Sequence, residues 1–81
     1  MNKRIGVIGI IVEDRDSVEN VNKLLSLHGD IIVGRMGIPY KEKNLSVISI
    51  IVDGTTDDIG SLTGRLGRLK GVSVKSALTQ K

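Results

Sequence analysis

Apolar and polar positions change rhythm several times along the chain, and each change marks the boundary of an element. Residues 3–12, KRIGVIGIIV, are β-branched and nearly continuous, which predicts a buried strand. The run stops at EDRD, where Asp16 stands at an N-cap position with Glu19 three residues on, a capping-box pattern. A helix then runs to about His28, with Val18, Val21, Leu24, Leu25 and His28 on one face and Gly29 placed to end it. DIIVGRMGI, residues 30–38, reads as a second strand whose two glycines predict a bulge or a close backbone approach, and PYKEKN turns the chain. LSVISIIVD, residues 45–53, is a third strand. Thr55 and Asp58 repeat the capping-box spacing before a second helix, whose buried stripe is Ile59, Leu62, Leu66 and Leu69 and which Gly71 ends. Finally Val72, Val74, Ser76 and Leu78 alternate with Ser73, Lys75, Ala77 and Thr79, as in a strand with one covered side.

The order β-α-β-β-α-β in two similar halves predicts the α+β, ferredoxin-like class, a split βαβ arrangement. Right-handed crossovers then give an antiparallel four-stranded sheet in the order 4-1-3-2 with both helices on one face. No linker or low-complexity stretch interrupts it, so residues 1–81 are expected to form one domain.

That arrangement leaves an apolar surface without a cover. The first strand carries Ile5, Val7 and Ile11 on one face and Ile8, Ile10 and Val12 on the other; the third repeats this with Leu45, Val47 and Ile51 against Ile48, Ile50 and Val52. Two helices cover one face only, so the other is expected to pack against further copies of the chain, as a homodimer or tetramer; the alternative is a shallow face partly covered by the termini and by the stems of Lys3 and Lys75. On the second helix Gly60, Gly64 and Gly67 line up away from the buried stripe. Glycine costs about 1 kcal/mol per helical position, so a close neighbour there is expected, either the first helix or another subunit, with a small ligand as the alternative.

Composition removes several classes of function. The absence of cysteine excludes a disulfide framework and any thiolate-bound metal or cluster, and no cofactor is expected. The net charge of +3 comes from dispersed residues, so nucleic-acid binding is not indicated. RNA-binding sheets of this strand order also stack bases on aromatics, where this chain has Val, Ile, Ser and Gly. No apolar run is long enough to span a bilayer and no leader is apparent, which predicts a cytoplasmic protein without membrane contact. The acids and hydroxyls of DGTTDD are explained by a turn and a helix cap, and His28 by packing, so no metal is expected. No nucleophile, base and orienting group can be assembled, so the chain is not expected to be an enzyme.

The remaining candidates cluster at one end of the predicted topology. Glu13, Asp14 and Arg15 can approach Tyr40 in the hairpin, with Arg35 near enough to join them, and an arginine fork with a phenol could hold a carboxylate or phosphate. The alternative is structural: Pro39 presets a hairpin turn and Tyr40 covers the end of the core.

Three stretches, GRMGIPY, DGTTDDIGSLTG and GVSVKS, with the opening VEDRDSVENVN, give the chain a resemblance along its whole length to the iron-only (FeFe) hydrogenase system regulators. That family is similar to ACT domains and to the C-terminal domain of nickel-responsive transcription regulators. The resemblance implies an ACT-like regulatory domain acting in hydrogenase maturation or transcription regulation. It also implies small-molecule binding between subunits near the loop after the first strand, here Glu13, Asp14, Arg15 and Asp16. The ribbon-helix-helix segment and the metal ligands of the nickel regulators are absent, so operator binding and nickel sensing are not implied. The expected function is therefore an oligomeric regulatory module holding a small anionic or zwitterionic metabolite at a subunit boundary. Arg15 and Arg35 would supply charge, Tyr40 a hydrogen bond and Gly37 close backbone approach. The alternative is a ligand-free adaptor that docks on a maturation enzyme or a transcription factor.

Overall fold

A computed structural model describes residues 3–80. The elements are β1 (Lys3–Val12), α1 (Val18–Leu27), β2 (Ile32–Tyr40), β3 (Leu45–Thr55), α2 (Thr56–Gly67) and β4 (Val72–Leu78). All strand pairs are antiparallel, in the order β2-β3-β1-β4, which is the expected order read from the other edge. Ile8 lies opposite Ile50 and Ile10 opposite Ile48. These side chains and Val12 and Val52 face Val21, Leu25, Ile59, Leu62 and Leu66 of the helices, and all are buried in one core. β-Branched residues opposite one another suit a pleated surface, and leucines on the helices fill the space above it.

The α2 cap forms as the spacing requires: the Asp58 amide donates to Thr55 Oγ1 at 3.0 Å, and the Thr55 amide donates to Asp58 Oδ2 at 3.4 Å. The α1 cap does not. Asp16 and Glu19 make no capping box; Asp14 Oδ1 instead accepts from the Asp16 amide at 2.9 Å and caps a 3-10 turn over Arg15–Ser17. Ser17, the residue before α1, is buried and its hydroxyl donates to the Lys70 carbonyl at 2.6 Å, so a tertiary contact replaces the local one.

β2 also departs from expectation. A 3-10 turn over Gly29–Ile31 delays its start while burying Ile31, and the strand continues through Pro39 and Tyr40. Proline is tolerated there because β2 is an edge strand with one side unpaired. The reversal falls on Lys41–Lys43 and closes at Asn44 with φ 56°. The expected bulge is present, with the register shift between Ile32 and Gly34.

α2 ends at Gly67, earlier than expected. Gly71 serves the following turn, with φ +71°. Gly60, Gly64 and Gly67 have nothing within 4 Å of an added Cβ, so α1 is not the expected close neighbour. Replacing Gly60 and Gly64 by alanine should therefore raise the stability of the isolated fold by about 0.5–1 kcal/mol each, read from urea denaturation. A loss of stability at either site would place another subunit against that helix.

The sheet face opposite the helices carries Ile5, Val7, Ile11, Met36, Ile38, Tyr40, Val47 and Ile51, exposed by between 39% (Val47) and 71% (Met36). Among the described residues, no helix is long and apolar enough to cross a membrane.

Candidate ligand groove

Strand alternation decides which candidate residues can meet. β2 keeps a regular register with β3 from Gly34 onward, pairing Arg35 with buried Ile50 and Tyr40 with Leu45. Residues five apart on a strand point to opposite faces. Arg35, Gly37 and Pro39 therefore lie on the helix side, whereas Met36, Ile38 and Tyr40 belong to the exposed apolar face. The expected convergence of Arg35 and Tyr40 does not occur: the sheet lies between them. Nor does Tyr40 close the end of the core, since it is 42% exposed on the far side.

On the helix side α1 leaves the edge strand partly uncovered. Its buried residues, Val21 and Leu25, pack on the central strands, and the positions beyond them are small or polar: Gly37, Pro39 and Ser46. The space that remains is a groove of two adjoining cavities of about 350 and 230 Å³, with Val12, Val18, Pro39 and Ser46 lining both. Arg15, Lys41 and Asn44 line the larger; Asn22, Arg35 and Gly37 line the smaller. Arg35 Nη2 donates to Asn22 Oδ1 at 2.6 Å, which holds the guanidinium against α1. An added Cβ at Gly37 would lie 3.4 Å from Ile48 Cγ1, so this glycine keeps the floor of the cavity low.

Three cations and no carboxylate line this groove among the described residues. An apolar floor with a few fixed donors and net positive charge suits a small anion with a hydrocarbon body.

The acidic run after β1 is placed differently. Glu13, Asp14 and Asp16 line a separate, open depression of about 530 Å³ with Lys70, Gly71 and Asn44, and Arg15 borders both that depression and the groove. Asp14 is committed to architecture: besides its cap, its Oδ2 lies 3.9 Å from Lys70 Nζ, and the Glu13 amide next to it donates to the Gly71 carbonyl at 2.7 Å. Three carboxylates around the depression disfavour an anion there. The structure thus brings Arg15, Arg35 and Gly37 to one groove and leaves Glu13, Asp14, Asp16 and Tyr40 outside it.

Asn22, Lys41, Asn44 and Ser46 were not among the sequence candidates. Asn22 could have been found from its place on the flank of the α1 stripe. Ser46 interrupts the apolar alternation Ile48, Ile50, Val52 on the helix side of β3. Elsewhere, the His28 Nε2 is buried without a hydrogen-bond partner among the described residues. No group of three or more His, Cys, Asp or Glu among the described residues is placed to hold a metal ion.

Known structures share the architecture. The protein TM1266 of Thermotoga maritima superposes with a TM-score of 0.92 at 36% identity, over 98% of this chain and 100% of that one. A "putative glycine cleavage system transcriptional repressor" matches at 0.71 and 17% identity over 100% of this chain, which spans 48% of that protein. The PII-like protein CPII of Thiomonas intermedia K12, solved with ADP, AMP and bicarbonate, matches at 0.58 and 16% identity, over 98% of this chain and 99% of that one. The latter two show likeness of fold alone. No curated protein matches the chain. The profile of one family covers residues 4–76, and the chain belongs to that family, the TM1266-like proteins described as "Iron-only hydrogenase system regulator, putative".

Proposed function

We propose that this chain is a regulatory module that associates with further copies through its open sheet face and takes a small anionic metabolite in the groove between α1 and β2. The observation that carries this reading is the division of labour along one strand. Arg35, Gly37 and Pro39 of β2 stand on the groove side, where Ile38 also borders the smaller cavity, while Met36, Ile38 and Tyr40 alternate onto the exposed apolar face. A ligand that fixes the groove side of β2 thereby bears on the contact made by its outer side, which is what a regulatory domain needs. Family membership supports control of iron-only hydrogenase maturation or expression as the process served. The nucleotides and bicarbonate held by CPII support small anions as ligands on this fold.

A second copy fits the open face by area and by chemistry. Four strands about 4.8 Å apart and some eight residues long present roughly 500 Å² per protomer, or about 1,000 Å² for a pair, the lower bound of a specific interface. Aliphatic rows, Ile38–Val47–Ile11 on one side and Ile51–Val7 on the other, flank a middle row of Met36, Ser49, Gly9 and Lys75, and Asp53 lies beyond them toward the margin. The same face favours a second reading, a ligand-free adaptor that docks on a maturation enzyme or a transcription factor.

Thermal denaturation with a panel of carboxylates, amino acids and nucleotides separates the two. A ligand present at 100 times its Kd adds about 2.7 kcal/mol, which for a domain this small raises the melting temperature by roughly 10 °C or more. The regulatory reading predicts such a rise and its loss in Arg35→Ala. No shift with any compound, together with unchanged binding of a partner by Arg35→Ala, selects the adaptor.

A further inference from the structure

The groove is two-headed, and this restricts what it can hold. Its two cavities share Val12, Val18, Pro39 and Ser46, so one continuous floor joins them. The cations stand at opposite ends. Arg35 serves the smaller cavity and is oriented by its 2.6 Å hydrogen bond to Asn22; Arg15 and Lys41 serve the larger. Between the ends the floor is Val12, Val18 and Pro39, which offer no charge. Arg35 lies four residues, about 13 Å along β2, before mid-floor Pro39, and Lys41 follows two residues beyond Pro39, so the ends are far enough apart to need a body between two anionic heads. Among the described residues none of the three cations makes an ion pair. Equally, no carboxylate among the described residues lines either cavity to receive an ammonium group.

We infer that the ligand is an elongated dicarboxylate, with one carboxylate on the Asn22-held Arg35, the other between Arg15 and Lys41, and its methylene chain over Val12, Val18 and Pro39. This rests on the groove being a ligand site. It departs from a zwitterionic amino acid, whose ammonium would meet three cations and, among polar side chains, only the neutral Asn22, Asn44 and Ser46 there. Each head group forms charge-assisted hydrogen bonds with an arginine fork, and the chain buries apolar surface at both ends of the same floor.

Calorimetric titration of the full chain with adipate, glutarate, caproate and norleucine tests it, alongside Arg35→Gln and the double variant Arg15→Gln/Lys41→Gln. These side chains are exposed, and circular dichroism checks that the variants fold. Adipate or glutarate should bind at least tenfold tighter than caproate or norleucine. Either variant should lower affinity for the dicarboxylate to that of caproate on the wild-type protein. Equal binding of adipate and caproate, with Arg35→Gln weakening both and the double variant neither, would make the groove a single-headed site and overturn the dicarboxylate while sparing the groove. Norleucine binding tightest would likewise replace it with a zwitterion. Absence of binding by all four in the wild-type protein, with a melting shift from some other compound, also removes it; absence of any shift removes the groove reading as well.

Discussion

Gly71→Ala is expected to destabilise the fold by about 2–5 kcal/mol, the sum of a left-handed backbone cost of about 1–2 kcal/mol and an overpacking cost of about 1–3 kcal/mol. Gly71 has φ +71°, and an added Cβ would lie 2.6 Å from Asp14 Cβ and 2.9 Å from the Asp14 amide nitrogen, so backbone would have to move. A domain of this length has a total stability of only about 4–12 kcal/mol, and the substitution removes a large part of it. Urea denaturation measures the effect, and Gly64→Ala, with open space at its Cβ, is the internal control. The same chemical change should therefore act with opposite sign at two sites. A near-neutral Gly71→Ala would mean that the turn before β4 yields easily. That matters for the groove, because this turn anchors the segment after β1 through the Glu13 amide and the Ser17 hydroxyl, and Arg15 lies between those two anchors.

Ile51→Lys is expected to abolish self-association while leaving the protomer folded. Ile51 lies opposite Val7 near the middle of the open face, and the two are 45% and 48% exposed, so little of the internal core depends on either. An interface between two such faces would have to bury an unpaired ammonium from each copy, at a cost of about 3–5 kcal/mol, or more than a hundredfold in affinity. Within the protomer the lysine extends into water, and its stem still covers part of the sheet.

The fold was legible in the sequence because its signals were redundant. Continuous β-branched runs fixed β1 and β3, leucine stripes fixed both helices, and the Thr55–Asp58 box set the start of α2 to the residue. What escaped were features decided by tertiary contacts. Ser17 lends its hydroxyl to Lys70 and not to its own helix, so the Asp16–Glu19 pattern, formally a good cap, has no role. Pro39 reads locally as a turn residue, but an edge strand accepts it, and extending β2 by two residues put Tyr40 on the exposed face. The same extension separates the two halves of the expected ligand clamp. Arg35, Arg15 and Gly37 could be nominated from chemistry and proximity. Asn22 showed only as a polar position on the flank of the α1 stripe, and the shared floor did not show at all, because it depends on how far α1 stops short of the sheet edge.

The two uncovered surfaces have a common cause. An 81-residue chain without Phe or Trp builds its core from small aliphatic side chains, and two short helices do not reach across both the edge strand and the second sheet face. One shortfall leaves the cationic groove, the other an aliphatic face.

Sedimentation equilibrium over a concentration series, run on the wild-type chain beside Ile51→Lys, bears on that point most directly. The wild-type mass should be at least twice the 8.7 kDa protomer at micromolar concentration, with the variant at one protomer. A wild-type protein that stays at a single protomer mass up to millimolar concentration, with its sheet face in water, would contradict it.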